Sequence, residues 1–203
     1  MLTVARPPYL LRKLYPKCVW RMPANEKKIY LTFDDGPVPE VSNWVLDILK
    51  QQQIKATFFC VGENVKNNNT IYQQILADGH QTGNHTYNHI KGLQTQNLEY
   101  YENIRQCQEL VNSSLFRPPY GQIKPSQQNY LAKQFKIIMW DVLSYDYSQV
   151  INKERCLNNV IKNTRNGSIL VFHDSVKAFP NLEYALPRAI EFLKKQQYQF
   201  ALF

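Results

Sequence analysis

Short apolar runs alternate along the chain with segments whose apolar residues recur every three or four positions. The runs predict strands at residues 29–33, 56–61, 137–140, 168–172 and 200–203. The helical spacing predicts helices at residues 41–49, 70–78, 95–112, 150–164 and 182–193. Strands and helices in regular alternation are typical of a parallel sheet with helical crossovers, either doubly wound or closed into a barrel. In both architectures we expect the chemistry at the carboxyl ends of the strands.

The pattern predicts one domain with an N-terminal extension. No linker, repeat or low-complexity tract interrupts residues 28–203, whereas residues 1–27, the N-terminal arm, mix basic with apolar side chains. A chain of 203 residues with 44% hydrophobic side chains can fill a sizeable core. This hydrophobic content, with only 20% charged residues, excludes a disordered protein. No apolar stretch reaches the roughly 20 residues of a membrane-spanning helix, which excludes an integral membrane protein.

The formal net charge of +8 raises the question of a polyanionic partner. Because the basic residues are scattered, a solvated basic face is favoured over nucleic-acid binding, with attraction to an anionic polymer or membrane surface as the alternative. The N-terminal arm lacks the apolar core of a signal peptide, so we expect a cytoplasmic protein, with peripheral envelope association left open. The cysteines show no CxxC spacing and are expected to be buried and reduced: Cys18, Cys60, Cys107 and Cys156.

Two adjacent carboxylates follow the first predicted strand of the domain. Asp34 and Asp35 end an apolar run and precede Gly36 and Pro37. Two neighbouring carboxylates repel each other unless a cation lies nearby, so a catalytic or metal site is one interpretation of this pair. The alternative is a simple turn, because Asp-Gly-Pro is also a turn sequence.

Two of the four histidines, His85 and His89, are four residues apart. On a helical turn this spacing puts both imidazoles on one face, where they can bind a single metal ion. Together with Asp35 they would form a set of two histidines and one carboxylate that leaves positions open for water and substrate. The alternative is a pair of unrelated surface histidines.

Two further sequences fall where strands end. His173 closes an apolar run, where it can act as a general acid or base or serve as a hydrogen-bonded structural residue. Residues 117–121, Arg-Pro-Pro-Tyr-Gly, form a stiff loop that holds Arg117 against a carboxylate or merely connects two elements.

The combination and order of these motifs resemble the polysaccharide deacetylases, the NodB-homology family 4 of carbohydrate esterases. The resemblance runs over residues 28–203 and rests on five sequences: TFDDGP at 32–37, HTYNH at 85–89, RPPYG at 117–121, a Trp-Asp strand at 140–141 and LVFHD at 170–174. It implies an α/β fold, a distorted TIM-like (β/α) barrel of about seven strands. It further implies metal-dependent hydrolysis of N-acetyl groups on N-acetylglucosamine-containing glycans such as peptidoglycan or chitooligosaccharides.

The same resemblance implies roles for individual residues. Asp35, His85 and His89 match the metal ligands, usually of zinc, for which cobalt or nickel can substitute. Asp34 matches the base that acts on a metal-activated water, Arg117 the residue that orients this base, and His173 the general acid. On the substrate side, Tyr120 matches the residue whose backbone N–H stabilises the oxyanion. Trp140 matches a further substrate-binding position, and Val171 lies in the wall of the acetyl pocket.

The chain departs from the family pattern in the fourth motif. The family usually has an Asp at the position of Leu143, whereas Asp146 is retained and the closing Trp is Tyr147. A smaller change is Val171 in place of the usual Leu. Because side chains alternate along a strand, Asp141 is the expected substitute for orienting His173, with Asp146 as the alternative. Asp141 could instead pair with Arg117 or cap a turn.

These patterns predict a monomeric deacetylase that acts on an N-acetylated glycan and does not bind nucleic acid. The change at Leu143 leaves open a catalytically impaired member that binds glycan without hydrolysing it. A second alternative is an amidase that acts on a small or cyclic C–N bond on the same barrel.

Overall fold

The structure, a computed structural model, describes residues 4–203, so the first three residues of the N-terminal arm lie outside the described residues. Across this range every pair of neighbouring strands is parallel. The strands are β1 (Cys18–Val19), β2 (Lys28–Asp34), β3 (Thr57–Cys60), β4 (Gln81–Asn84), β5 (Leu115–Phe116), β6 (Lys136–Ile138), β7 (Val142–Leu143), β8 (Ile169–His173) and β9 (Gln199–Phe200).

Helices connect the strands, as the alternating pattern predicts. They are α1 (Tyr9–Leu14), α2 (Pro39–Gln51), α3 (Gly62–Asn67), α4 (Asn69–Ala77), α5 (Asn97–Gln108), α6 (Pro125–Leu131), α7 (Lys153–Ile161) and α8 (Phe179–Lys195). Two 3₁₀ turns, Gly92–Gln94 and Pro119–Gly121, lie in the loops that follow β4 and β5. No helix of residues 4–203 is long and apolar enough to cross a membrane.

The sheet curls into the distorted barrel that the motifs imply, which confirms the predicted fold class. Its order is β1-β6-β5-β4-β3-β2-β8-β7, with β9 added beside β2. The described chain has nine strands, compared with the expected number of about seven. Four of them are only two residues long: β1, β5, β7 and β9. A single bridge between Arg21 and Ser168 connects the chain after β1 to the chain before β8.

Strand parity divides the side chains of the sheet between two environments. On β2, Ile29, Leu31 and Phe33 point outward into the large core under the helices. The residues between them face the barrel interior, where Tyr30 packs with other inward residues: Phe59, Leu115, Ile138 and Ile169. Side chains on one face of a strand recur every two residues, so the interior series of β2 continues through Thr32 to Asp34. The same parity on β8 runs from Ile169 through Val171 to His173.

The barrel interior is therefore layered. At the amino ends of the strands it is closed by aromatic packing, with Phe203 stacked on Tyr30 at 5.2 Å between ring centroids. At the carboxyl ends the register aligns Asp34 with His173 and Thr32 with Val171. The polar residues of the chain thus meet at the open, carboxyl end, as in barrels generally.

The sequence pattern did not predict four strands of the described chain: β1, β4, β5 and β7. Strand β4 was missed because its sequence Gln-Thr-Gly-Asn lacks the apolar residues of a buried strand. Gly83 is nonetheless required there, since a Cβ would lie 2.5 Å from the Phe59 ring. On α5, which falls within the predicted helix 95–112, the buried face is formed by Tyr100, Ile104 and Cys107, whereas Leu98 is exposed.

The four cysteines are all buried and free, which confirms the expectation of reduced thiols. Burial raises the pKa of the Cys18 thiol to about 11 and that of Cys107 to about 12. Such thiols are not nucleophilic at neutral pH, so they act as small apolar core residues.

Candidate active site

Five of the polar residues singled out in the sequence line one cavity of about 560 Å³ at the carboxyl ends of the strands: Asp34, Asp35, His85, His89 and His173. The size falls in the usual range for small-ligand sites. Asp34 and His173 come from the adjacent strands β2 and β8, and the histidine pair comes from the loop after β4. The substrate-side residues also line it: Tyr120, Trp140 and Val171.

Three possible metal ligands converge on one side of this cavity. One donor atom from each of Asp35, His85 and His89 lies within 4.8 Å of the others. The Nε2 atom of His89 is 3.1 Å and that of His85 is 3.8 Å from the same Asp35 oxygen. Two imidazoles and a carboxylate aimed at one point are the donor set of a catalytic zinc site.

The protonation of this group suits a cation. The Nδ1 atom of His85 lies 2.7 Å from the carbonyl oxygen of Arg117, which can only accept, so Nδ1 carries the hydrogen. The lone pair of His85 is therefore on Nε2, facing Asp35. Burial lowers the pKa of His85 to about 4, which keeps it neutral. Burial by itself would raise the pKa of Asp35, but the hydrogen bond from His89 and the positive charge of His173 hold it well below its usual range.

The two histidines do not lie on a helix, contrary to the sequence-based expectation. They follow β4 in a loop in which Thr86 and His89 have positive φ angles of 64° and 60°. The left-handed turns, rather than helical periodicity, bring both imidazoles toward Asp35. Asp35 itself has φ 83°, and Tyr120 has φ 60°. Residues other than glycine rarely adopt this conformation, and they concentrate at functional sites.

Asp34 is held by a buried arginine. The Nη1 atom of Arg117 donates to Asp34 at 2.5 Å and to the Thr32 hydroxyl at 2.8 Å. The rest of the guanidinium donates to the carbonyls of Ile138 and Met139, and its carbon lies 4.0 Å from the centre of the Phe59 ring. Arg117 is fully buried, and the carboxylate of Asp34 neutralises its charge. The geometry fixes the Asp34 carboxylate beside the metal ligand set.

His173 lines the cavity from β8, in register with Asp34 on the neighbouring strand β2, and is paired with Asp146. Its Nδ1 lies 2.8 Å from one Asp146 oxygen, and its backbone N–H donates to the other at 2.7 Å. The Ser144 hydroxyl and the Tyr147 N–H also donate to this carboxylate. Burial lowers the pKa of His173, but the charge and hydrogen bond of Asp146 outweigh it and raise the pKa to about 9.

The expected contact between Asp141 and His173 is wrong. Asp141 precedes β7 instead of lying within it, and its fully buried carboxylate accepts hydrogen bonds from Arg12 at 2.8 Å and Arg165 at 2.9 Å. The Ser168 hydroxyl donates to its second oxygen. Nor does Asp141 pair with Arg117, which binds Asp34. The residue that holds His173 is Asp146, so the change at Leu143 does not remove the carboxylate from the histidine.

Leu143 and the substrate-side residues form a mostly apolar wall next to His173. Leu143 is in register with Val171 across β7 and β8, and Trp140 lines the same cavity. Sequence reasoning did not single out Tyr145, Ser175 and Lys177, which also line it. Their positions in loops after strands are the one signal that could have indicated them.

Comparison with known proteins gives consistent matches. A family model described as polysaccharide deacetylase matches residues 21–137. The chain is 34% identical over 190 residues to a peptidoglycan-N-acetylglucosamine deacetylase of Bacillus cereus, with 89% of this chain and 88% of that protein covered. It is 37% identical over 160 residues to a second such protein of the same organism, with 75% of this chain covered but only 58% of the relative.

A solved structure shows the same fold. The crystal structure of the Bc1960 peptidoglycan N-acetylglucosamine deacetylase, in complex with a naphthalenyl N-oxidanyl-benzamide, has a TM-score of 0.88 and 33% identity. The alignment covers 96% of this chain and 94% of that chain.

The His173–Asp146 pair makes a prediction that needs no substrate. In Asp146→Asn the imidazole loses the charge that raises its pKa while its burial remains, so the pKa should fall by about 2 units or more. NMR titration of the His173 ring signals measures this directly. Asp141→Asn is the matched control and should leave the His173 pKa near 9. An unshifted titration in Asp146→Asn would contradict the pairing.

Proposed function

The chain belongs to the polysaccharide deacetylase family, as its motifs indicated, and on this premise we propose that it is a metal-dependent hydrolase of N-acetyl groups. The proposed substrates are glycans that contain N-acetylglucosamine, such as peptidoglycan or chitooligosaccharides. Acetate and a free amino sugar would be the products.

One observation carries the proposal, namely the arrangement of three charged groups around a single cavity. The ligand set of Asp35 with two histidines lies beside Asp34, whose carboxylate is fixed by Arg117. His173 faces them from β8. Amide hydrolysis needs a base on one side of the carbonyl and an acid for the departing nitrogen. The cavity supplies both within one site.

A divalent cation fits the ligand set, because an ionised carboxylate and neutral imidazoles are the donors that zinc prefers. Asp35, His85 and His89 would hold it. When bound, the cation would polarise the acetyl carbonyl and make a water molecule more acidic. The hydrogen bond from His85 to the Arg117 carbonyl orients that ligand before any cation arrives.

The residues of the chain would perform the proton transfers. Asp34 accepts a proton from the water whose oxygen adds to the acetyl carbon. The C–N bond then breaks, and the protonated His173 delivers its proton to the sugar nitrogen, which leaves as an amine. The elevated pKa of His173 keeps it protonated at neutral pH, as a general acid requires.

The surrounding wall suits an acetyl group on a sugar. Trp140, Leu143 and Val171 offer an apolar surface to the methyl group, and the backbone N–H of Tyr120 is the proposed donor to the developing oxyanion. The Tyr120 ring is 56% exposed at the rim, where it can stack on a sugar ring.

A catalytically impaired, glycan-binding protein is the competing interpretation, since Leu143 replaces a family Asp. The pairing of His173 with Asp146 speaks against it, because the acid keeps a buried carboxylate partner. An amidase that acts on a small C–N bond would use the same groups, but it would release no acetate from the chitooligosaccharides and peptidoglycan of the substrate panel below.

Acetate release from a substrate panel tests the proposal. Zinc-loaded protein should release acetate from chitooligosaccharides or peptidoglycan, and less or none from acetylated xylan. Chelation should abolish the activity, and zinc or cobalt should restore it, because the bound cation would polarise the acetyl carbonyl. His85→Ala and His89→Ala should lose both bound metal and rate.

Two outcomes would overturn the proposal. Full activity in metal-stripped protein would contradict metal dependence. Binding of glycans with no acetate release from zinc-loaded protein would establish the impaired, glycan-binding interpretation instead.

The adjacent carboxylates should separate by role. Asp34→Asn removes the base but no ligand, so it should retain zinc while kcat falls by roughly 10² or more. Asp35→Asn should weaken zinc binding first. Metal analysis of the purified variants, together with kcat at saturating zinc, measures both effects. Equal loss of metal in the two variants would mean that the assignment is wrong.

A further inference from the structure

The N-terminal arm packs against the part of the chain that forms one wall of the active site. This wall segment, residues 139–145, runs from the end of β6 through β7 to the loop that carries Asp146. Three of its residues line the catalytic cavity: Trp140, Leu143 and Tyr145. The arm contacts it through side chains, backbone and an ion pair.

The ion pair joins Arg12 of α1 to Asp141 of the wall segment. The Nη2 atom of Arg12 donates to Asp141 at 2.8 Å, and Arg6 of the arm lies 3.7 Å from the same oxygen of this completely buried carboxylate. Arg165 and Ser168, both in the loop before β8, bind the same carboxylate. Asp141 therefore ties the arm and two stretches of the barrel together at one point.

The indole of Trp140 packs against the arm and against the loop after β5. Trp20 of the arm meets it edge to face, with ring centroids 6.1 Å apart. Gly121, with φ 64°, leaves room for the indole, because a Cβ at that position would collide with it. The arm thus contributes a contact to this cavity-lining ring.

Backbone hydrogen bonds extend the contact to the remaining wall residues. The Leu143 N–H donates to the Ala5 carbonyl at 2.8 Å, and the Tyr145 hydroxyl donates to the Val4 carbonyl at 3.3 Å. At the other end of the wall segment the Met139 N–H donates to Val19 of β1 at 2.8 Å. The arm therefore lies along the wall segment from its beginning to its end.

We propose that the N-terminal arm is a positioning element of the substrate pocket, anchored by the ion pair between Arg12 and Asp141. Arg12 and Asp141 are positioning residues that act through Trp140, Leu143 and Tyr145. Residues 4–20 lie outside the span matched by the family model, which begins at residue 21. The inference rests on the proposed function, since it assigns the wall to substrate binding.

The geometry predicts which kinetic constant depends on the arm. Asp34 ends β2, Asp35 follows it, and the two histidine ligands lie in the loop after β4; none of them makes an arm contact. Because Asp34 and His173 each keep a buried ion-pair partner of their own, loosening the arm should displace the substrate-binding residues of the wall more than the proton-transfer groups. In Arg12→Met the Asp141 charge stays neutralised by Arg165, so the variant is expected to fold.

The first experiment compares Arg12→Met with Arg105→Met. Arg105 pairs with Glu102 and Glu109 on the exposed face of α5, away from the arm, so its loss controls for removal of a surface ion pair. Arg12→Met should raise KM for a chitooligosaccharide about tenfold and change kcat by less than about twofold. Arg12→Lys, which keeps the charge, should restore part of the lost affinity.

Two kinetic results would overturn the proposal. One is a KM in Arg12→Met equal to that of Arg105→Met. The other is a joint fall of kcat and bound zinc, which would show that the arm supports the whole barrel rather than the pocket wall.

A second readout is independent of catalysis. The chain has three tryptophans, so Trp44→Phe leaves only Trp20 and Trp140, the two indoles of the contact between arm and wall segment. In that background Arg12→Met should increase quenching of the tryptophan emission by acrylamide, while Arg105→Met should not. Unchanged quenching in Arg12→Met would refute the positioning role. If no variant or wild type releases acetate, the proposed function fails, while the quenching result still decides the role of the arm.

Discussion

The buried guanidinium of Arg117 is the constraint on which the active site depends. It lies inside the barrel with no exposed surface, and a charge in that position is tolerated only with a matched partner and satisfied hydrogen bonds. Asp34 provides the partner, while Thr32 and two backbone carbonyls accept three further hydrogen bonds. The carbonyl of the same residue receives the Nδ1 hydrogen of His85. One residue therefore fixes both the proposed base and the tautomer of a metal ligand.

Three further carboxylates, at the site and beside its wall, follow the same rule, each with its own arginine or histidine partner. Asp35 faces the two histidines, Asp146 holds His173, and Asp141 binds Arg12 and Arg165. These partners determine the chemistry available to each group. Asp35 is ionised beside potential metal ligands, whereas Asp146 keeps an imidazole protonated. Asp141 is fully occupied by arginines, so it serves packing rather than proton transfer.

Much of this could be predicted from the sequence because strand parity and strand ends are local properties. Asp34 and His173 end apolar runs, so the parallel sheet was expected to bring them to one edge, and it does. The barrel and the family follow from the order of the motifs. Strand β4 was missed because its residues are polar, and its burial comes from packing under Phe59. The histidine loop was taken for a helical turn, since a spacing of four does not reveal positive φ angles. The choice between Asp141 and Asp146 depended on arginines distant in sequence, which no local pattern indicates.

The central claim, that Arg117 acts by fixing Asp34, is tested most directly by a double-mutant cycle in kcat. Arg117→Lys keeps a positive charge but loses the fork of donors, and Asp34→Asn removes the base. If both act through one ion pair, the kcat of the double variant should lie within about threefold of that of Asp34→Asn alone. A different result would contradict the account. If the loss of kcat in the double variant equals the product of the losses in the two single variants, and every variant retains zinc, Arg117 and Asp34 act independently.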